Sequence, residues 1–417
     1  MKSDLTNIMN NVRALIQPLI EKPSSSGSKK IIIENNEIYL ETSIGSIRDA
    51  NQDKISFAVI DNQVSIGAQL AVAVLADGMG GMIEGDKAAS IAISSFISYI
   101  ATGHSDKGLK NIALKAVNHS NEEVFRNFNG KGGTTLSAIV FGKNGCVAVN
   151  VGDSRIYYLN RTSGIKQLGV DDTIAGQLKK EDEHADNWLY PTQGDHRLAQ
   201  YVGMGDGIDV HCIDLSEYHK QKDIEAGFLL TSDGAHYLGN IMLNQIVLKS
   251  ETKGDIPVRI GKTSAWLSGH DNISAILLPT FFDFEEVNKK LSDLCLNFYS
   301  VSYETSFVIP TKNYQFFSND NKSQIKMNNT DEISLLEEID LKIAKAKEEI
   351  KEEIINEMKM LIEETKTRKK KTIKKVKNIE KTNDETKKNE DNKNEDSQLT
   401  VDIISIGEKQ MGWGNYK

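Results

Sequence analysis

Runs of apolar residues alternate along the chain with stretches whose apolar positions recur every three or four residues. The runs at 31–33, 38–40, 55–60 and 68–76 are bounded by Asn, Gly and Asp and predict neighbouring antiparallel strands. After Gly81 the period becomes helical. Ala88, Ala89, Ile91, Ala92, Phe96 and Ile100 share one face, and Leu109, Ile112, Ala116, Val117, Val124 and Phe125 share another, so two helices should pack on a sheet. Gly-Lys-Gly-Gly at 130–133 ends the second of them. Strands resume at 135–141, 146–151 and 155–159, then at 228–231 and 273–278, with a helix at 256–267. Ahead of the first strand, Ile8, Val12, Leu15 and Ile16 predict a short amphipathic helix that Pro18 should kink or end. Pro-Ser-Ser-Ser-Gly-Ser at 23–28 has the composition of a linker, so residues 1–30 read as an appendage. Residues 160–215 are polar and weakly periodic, an excursion from the sheet.

A carboxylate recurs where strands end. Seven apolar residues run into Asp77, followed by Gly78, Gly80 and Gly81. Asp153 sits in Gly-Asp-Ser between two strands, Asp233 follows the strand at 228–231, and Asp271 precedes the strand at 273–278. The first stretch alone is equally compatible with a strand ending in an ordinary Asp-Gly turn. Together the four carboxylates make an all-oxygen set that selects a hard cation, magnesium or manganese, over zinc or copper. A structural calcium site is the competing reading, but such sites draw several ligands from one short loop, and these come from separated strand ends. With Arg48 in a polar loop, the set suits a phosphate bound above a metal pair. His236 and His270 stand near Asp233 and Asp271 and could donate a proton, though a supporting or surface role is the more ordinary one for either.

Gly45-x-x-Arg48-x-x-Asn51-x-Asp53, Ala76-Asp77-Gly78-Met79-Gly80-Gly81, Gly133-Thr134-Thr135, Val151-Gly152-Asp153-Ser154-Arg155, Ser232-Asp233-Gly234 and Asp271-Asn272-Ile273 occur in this order. In these motifs residues 40–280 resemble the metal-dependent Ser/Thr protein phosphatases of the PPM, or type 2C, family, most closely its bacterial branch. The resemblance implies an α+β fold, a four-layer α-β-β-α sandwich with its metals at one end, and a flap at about 160–215. It implies two Mn2+ or Mg2+ ions with a possible third. Asp77 would bridge both ions, the Gly78 carbonyl would bind one, and Asp233 and Asp271 would complete the other. Asp53 would act through a coordinated water, and Asp153 with Asp233 would hold the third ion. Arg48 matches the phosphate-binding arginine, so Arg48, Asp77 and Asp233 are the implied catalytic residues. Met79 stands where many eukaryotic members have a histidine, and Tyr237 where an aspartate commonly follows the Ser-Asp-Gly motif.

The remaining chain is read from composition. Residues 281–330 form a connector of undetermined structure. Leu336, Ile339, Ile343, Ala346, Ile350, Ile354, Met358 and Leu361 predict a long amphipathic helix that becomes basic, over 331–380. Residues 381–417 read as a disordered tail ending in an apolar tip around Trp413, a layout suited to docking a protein partner or to self-association. Eight Lys or Arg fall within 366–377, but the net charge of −9 argues for a solvated helix rather than nucleic-acid binding. Cys146, Cys212 and Cys295 are isolated, which fits a reducing compartment, and no run is long enough to span a bilayer, so a cytoplasmic protein is expected with no membrane association. The expected function is hydrolysis of phosphoserine and phosphothreonine in proteins, with a cognate kinase or its substrates as partners. The alternatives are a catalytically impaired member that binds phosphoproteins, a metallophosphatase for small phosphoesters, or a coiled-coil scaffold carrying the enzyme.

Overall fold

The computed structural model describes residues 2–22, 26–62, 68–80, 82, 84–103, 108–174, 176, 197–267, 269–284 and 293–310. The predicted long helix and tail lie outside the described residues, as do residues 175 and 177–196 of the expected flap.

Thirteen strands are arranged in two antiparallel sheets among the described residues. One sheet runs β1 (Ser26–Ile33), β2 (Asn36–Ser43), β11 (Ile273–Leu278), β10 (Ala226–Thr231), β7 (Arg155–Asn160), β8 (Gly164–Leu168). The other runs β13 (Glu304–Ile309), β12 (Leu294–Tyr299), β3 (Asp53–Asn62), β4 (Ala68–Asp77), β5 (Leu136–Gly142), β6 (Gly145–Val151), β9 (His211–Asp214). The sheets face each other, and each has helices on its outer side. β4 makes the logic plain. Ala71, Ala73 and Leu75 point into the core between the sheets, where Phe57, Phe141, Phe228 and Ile276 also lie. Leu70, Val72, Val74 and Ala76 point the other way, into a core shared with α1 (Lys2–Glu21), α2 (Gly85–Thr102) and α3 (Gly108–Phe128). A strand covered on both faces has no polar side, hence its unbroken apolar run. The outer face of the other sheet is covered by α5 (Asp233–His236), α6 (Gly239–Lys249) and α7 (Asp255–Leu267), with Leu229 and Leu277 meeting Leu243, Val247 and Ile260. A further short helix, α4 (Ser216–Gln221), follows β9. The result is the four-layer α-β-β-α sandwich.

Three expectations change. The N-terminal segment is not an appendage: Ile8, Val12, Ile16 and Ile20, each four residues apart, are 0–4% exposed in the helical core. Arg13 also forms an ion pair with Glu123 of α3. Pro18 lies inside α1, which continues to Glu21. Its missing donor costs one backbone bond near the helix end, and burial of Ile16 and Ile20 on either side offsets that. The linker-like Ser26, Gly27 and Ser28 are strand, paired with Ser43, Thr42 and Glu41. The sandwich also extends past residue 280: Phe282 is buried between the sheets, and the β12–β13 hairpin lengthens the second sheet beyond β3. Finally, β2 and β3 are not neighbours but belong to opposite sheets, and residues 44–52 cross between them at one end of the sandwich.

The role of α1 is testable by truncating single side chains. Ile16→Ala, at a site with no exposure, should lower unfolding free energy by about 2–5 kcal/mol in urea titration. Leu15→Ala, at 40% exposure, should change it by no more than about 0.5 kcal/mol. Equal, negligible effects would mean that α1 is dispensable to the core.

Candidate active site

The crossover end of the sandwich gathers the carboxylates. Asp53 opens β3 and Asp77 closes β4, and the antiparallel register sets them directly opposite each other. Asp53 is buried, and its Oδ2 accepts a 2.7 Å hydrogen bond from the Ser232 hydroxyl of the facing sheet. That hydroxyl in turn accepts the Ser274 N–H at 2.9 Å, while Ser232 N–H donates to the Ser274 carbonyl at 3.0 Å. Ser232 thus links the ends of β10 and β11 to the Asp53 carboxyl.

Asp77 is held through its backbone. Its N–H donates to Thr135 Oγ1 at 2.9 Å, and its carbonyl accepts Thr134 Oγ1 at 2.8 Å and Thr135 N–H at 2.9 Å. Thr135 Oγ1 also hydrogen-bonds Ser154 Oγ at 2.7 Å, tying Asp77 to the turn that carries Asp153. The Gly-Thr-Thr motif is therefore a clamp on the Asp77 peptide. Gly78 follows, and a Cβ there would lie 2.3 Å from the Gly85 carbonyl oxygen, so only glycine lets β4 meet the start of α2.

Two more supports come from polar side chains. Asn272 donates through Nδ2 to the carbonyls of Ile44 at 2.9 Å and Ala50 at 3.0 Å, and its Oδ1 accepts Gln52 N–H at 2.8 Å. One side chain thereby fixes the whole crossover loop against the Asp271 strand. Within that loop Arg48 Nη2 donates to Asp271 Oδ2 at 2.7 Å. Asp172 N–H donates to the Gly152 carbonyl at 3.0 Å, its Oδ2 accepts Gly152 N–H at 3.0 Å, and its Oδ1 meets His211 Nε2 at 2.6 Å, which holds the Asp153 turn.

Electrostatically these groups form one cluster. Burial, then the charge of Asp53, Asp233, Asp153 and Asp271, holds the Asp77 carboxyl well above the usual carboxylate range. Burial pushes Asp53 up to about 7, opposed by the Ser232 hydrogen bond and reinforced by Asp233 and Asp271. Burial and then Asp233 push Asp153 up to about 7. Asp233 is raised by burial and then by Asp271, while a hydrogen bond with Asp77 acts in the opposite sense. Arg48 is raised by its hydrogen bond to Asp271 and also feels Asp233 and Asp77. Every predicted site residue is thus at this end: Arg48, Asp53, Asp77, Gly78, Asp153, Asp233 and Asp271. Among the described residues no three His, Cys, Asp or Glu side chains form a ready-made metal cage. The donors are all oxygen, and Asp53 Oδ1 and Asp233 Oδ1 are buried without a hydrogen-bond partner. The residues fit a hard divalent cation.

The histidines separate. His236 is buried, hydrogen-bonded through Nδ1 to Thr231 Oγ1 at 3.0 Å, and burial lowers its pKa well below the ordinary value, so it packs beneath the site and is no proton donor. His270 is exposed beside Asp271. Sequence reasoning assigned no role to Ser232, Thr135, Asn272, Asp172 or His211. The first three stood inside quoted motifs, whereas nothing local marked the Asp172–His211 pair, which forms between residues 39 positions apart.

Solved structures to which the chain is similar include Stp1, a serine/threonine phosphatase of Staphylococcus aureus, at 21% identity and TM-score 0.47, spanning 60% of this chain and 95% of that one. Another is the PPM Ser-Thr phosphatase MsPP of Mycobacterium smegmatis in complex with cacodylate, at 24% identity and TM-score 0.44, spanning 58% of this chain and 97% of that one. The Protein phosphatase 2C family model matches residues 48–246, which include Arg48, Asp53, Asp77, Asp153 and Asp233 and stop before Asp271. The serine/threonine phosphatase stp of Listeria welshimeri is 30% identical over 253 residues, 57% of this chain and 93% of that protein. Motifs, fold and a relative matched over nearly its whole length agree: the chain belongs to the protein phosphatase 2C, or PPM, family and is a bacterial-type protein serine/threonine phosphatase.

Proposed function

We propose that this protein hydrolyses phosphoserine and phosphothreonine in proteins at the crossover end of the sandwich, with two Mn2+ or Mg2+ ions in the carboxylate cluster and room for a third. The convergence of five carboxylates, three of which, Asp77, Asp233 and Asp271, act on Arg48, carries the reading. Asp77 would serve both ions, the Gly78 carbonyl would hold one of them and Asp233 with Asp271 the other, Asp53 would act through water, and Asp153 with Asp233 would take the third. Two ions so held supply a water of lowered pKa as nucleophile and neutralise phosphoryl charge.

The protein's own groups do the rest. Arg48 is 42% exposed and reaches from the loop toward the cluster, so its guanidinium can bind phosphoryl oxygens while Asp271 orients it. Ser232 keeps Asp53 in place, and the Thr134–Thr135 clamp keeps the Asp77 backbone from shifting. Phosphoproteins and a cognate kinase are the partners this reading implies. The region after about residue 331 serves partner choice rather than catalysis. Its composition offers no carboxylate or arginine motif of the site, and an apolar tip beyond a spacer raises local concentration at a target. The unpaired Cys146, Cys212 and Cys295 support a reducing, cytoplasmic location. Separately, no helix among the described residues is long and apolar enough to cross a membrane.

Phosphopeptide hydrolysis should require Mn2+ or Mg2+ and stop with a chelator. Asp77→Ala and Asp233→Asn should each lower kcat by roughly a hundredfold or more, and Arg48→Ala should mainly raise KM. Near-normal turnover in either aspartate variant would refute the assignment.

The raised carboxyls predict a stability profile. A folded-state pKa of about 7 in place of 3.8, for Asp53 and Asp153, means the fold favours the protonated form. Stability of the metal-free protein should therefore fall as pH rises through the window between those values. Calorimetry in chelator should show Tm decreasing from about pH 4 to about pH 7 and levelling off above it, with Mn2+ raising Tm more at the higher pH. A flat profile, unchanged in Asp53→Asn, would contradict the clustering.

Ending the chain near Thr330 should leave turnover of an aryl phosphate intact and weaken co-purification with the partner. Loss of that turnover in a folded protein would place the C-terminal region in the catalytic unit.

A further inference from the structure

Beside Arg48 the site mouth carries large side chains that the phosphate chemistry does not use. Tyr237 lies one turn beyond Asp233, its N–H donating to the Asp233 carbonyl at 2.8 Å. Its ring stands edge-on to that of His270, the neighbour of Asp271, with centroids 4.7 Å apart and planes at 83°. The Arg48 loop joins the same edge, because Ser46 N–H donates to the Gly269 carbonyl at 2.6 Å and Ser46 Oγ to the Ala265 carbonyl at 3.4 Å. Ile47 therefore lies next to the end of α7, where Trp266 and Leu267 stand. Ile47 is 68% exposed, Tyr237 61%, Trp266 81% and Leu267 50%. Single exposed apolar residues are ordinary. Here they sit on three segments bonded to one another, each adjoining a residue of the site: Arg48, Asp233 or Asp271.

We infer that Ile47, Tyr237, His270, Trp266 and Leu267 form a subsite for an apolar or aromatic residue flanking the phosphoserine or phosphothreonine of a protein substrate. The inference rests on the phosphatase reading above, with Arg48 holding the phosphate. Its occupant is set by continuity with that site. A phosphoresidue seated at Arg48 has neighbours whose Cα atoms are about 3.8 Å away per step, so flanking side chains must land on the adjoining edge. Its chemistry is set by the edge itself, where Ile47, Tyr237, Trp266 and Leu267 offer exposed aromatic and aliphatic surface beside Arg48. Tyr237 makes the edge particular to this chain: the family pattern commonly has an aspartate there, and a ring in its place removes a charge and adds apolar contact area. The Tyr237–His270 pair is already packed edge to face, so a flanking ring or branched side chain meets a pre-ordered surface.

The test uses the full-length protein with Mn2+ and phosphothreonine peptides identical except for Phe or Ser beside the phosphoresidue, with an aryl phosphate assayed in parallel. The Phe peptide should be preferred in kcat/KM by about tenfold, the lower end for an apolar contact. Tyr237→Ser and Ile47→Ser should each shrink that ratio toward one. Val308→Ser, a comparably exposed position at 65% on β13, should leave it unchanged. Because the ratio is internal to each enzyme, a loss of total activity does not disturb it. Equal rates on the two peptides in the wild-type protein, or a preference that survives in Tyr237→Ser and Ile47→Ser, would overturn the subsite. Failure to hydrolyse either peptide or the aryl phosphate would instead overturn the phosphatase reading beneath it.

Discussion

Everything at the functional end answers to one electrostatic problem: several carboxylates are brought together where two sheets close, out of reach of much of the solvent. Desolvation and mutual repulsion both push their protons on, and Asp53, Asp77, Asp153 and Asp233 all carry the sign of that pressure. Such a cluster is tolerable only if the backbone beneath it cannot relax. The surrounding hydrogen bonds are consequently aimed at backbone more than at carboxylate. Thr134 and Thr135 grip the Asp77 peptide, Asn272 grips three peptides of the crossover loop and its approach to β3, and Asp172 grips Gly152. Two carboxylate oxygens, Asp53 Oδ1 and Asp233 Oδ1, are left unsatisfied in the middle of this framework. Other buried polar atoms among the described residues lack a partner, but these two belong to the carboxylate cluster, and they are the atoms a divalent cation would satisfy.

The rigidity needed for this comes from burial on both sides of the strands. β4 delivers Asp77 from a run of residues that are all inaccessible, packed inward on the facing sheet and outward on the helices. α1 belongs to that outward layer. Its four buried isoleucine and valine side chains share a core with α2, and α2 begins at Gly85, against the Gly78 backbone. The N-terminal helix and the Asp77 end of β4 are thus coupled through packing alone, with no polar contact between them required.

Lys54 follows from the same geometry. It is buried immediately after Asp53, its Nζ lies 3.2 Å from the Asn51 carbonyl, and burial lowers its pKa against the pull of Asp86, Asp53 and Glu21. A small cavity behind Asp53 is lined by Lys54, Leu19, Ile20, Thr42 and Ser300. Lys54 and Lys22 thus both line the cavity behind Asp53, while Arg48 approaches the cluster from the crossover loop.

What the sequence determined by itself was periodic or contained in a short motif. Continuous apolar runs ending in Asp-Gly predicted β4 and β10, helical spacing predicted α2, α3 and α7, and the order of the motifs named the carboxylates and Arg48. These signals are legible because period and turn chemistry act within a few residues. Tertiary structure decided what depends on distant partners. The serine-rich stretch at 26–28 becomes strand because β2 offers it a ladder, and α1 continues through Pro18 because α2 and α3 give its isoleucines somewhere to go. Phe282 and the β12–β13 hairpin belong to the sandwich because β3 leaves an edge to extend. Likewise, His236 looked available beside Asp233 in one dimension, yet the one-turn α5 rotates it inward onto Thr231, while Tyr237, the next residue, turns out to solvent. Adjacent residues on a helix face directions about 100° apart, and only the packed fold says which of them faces the site.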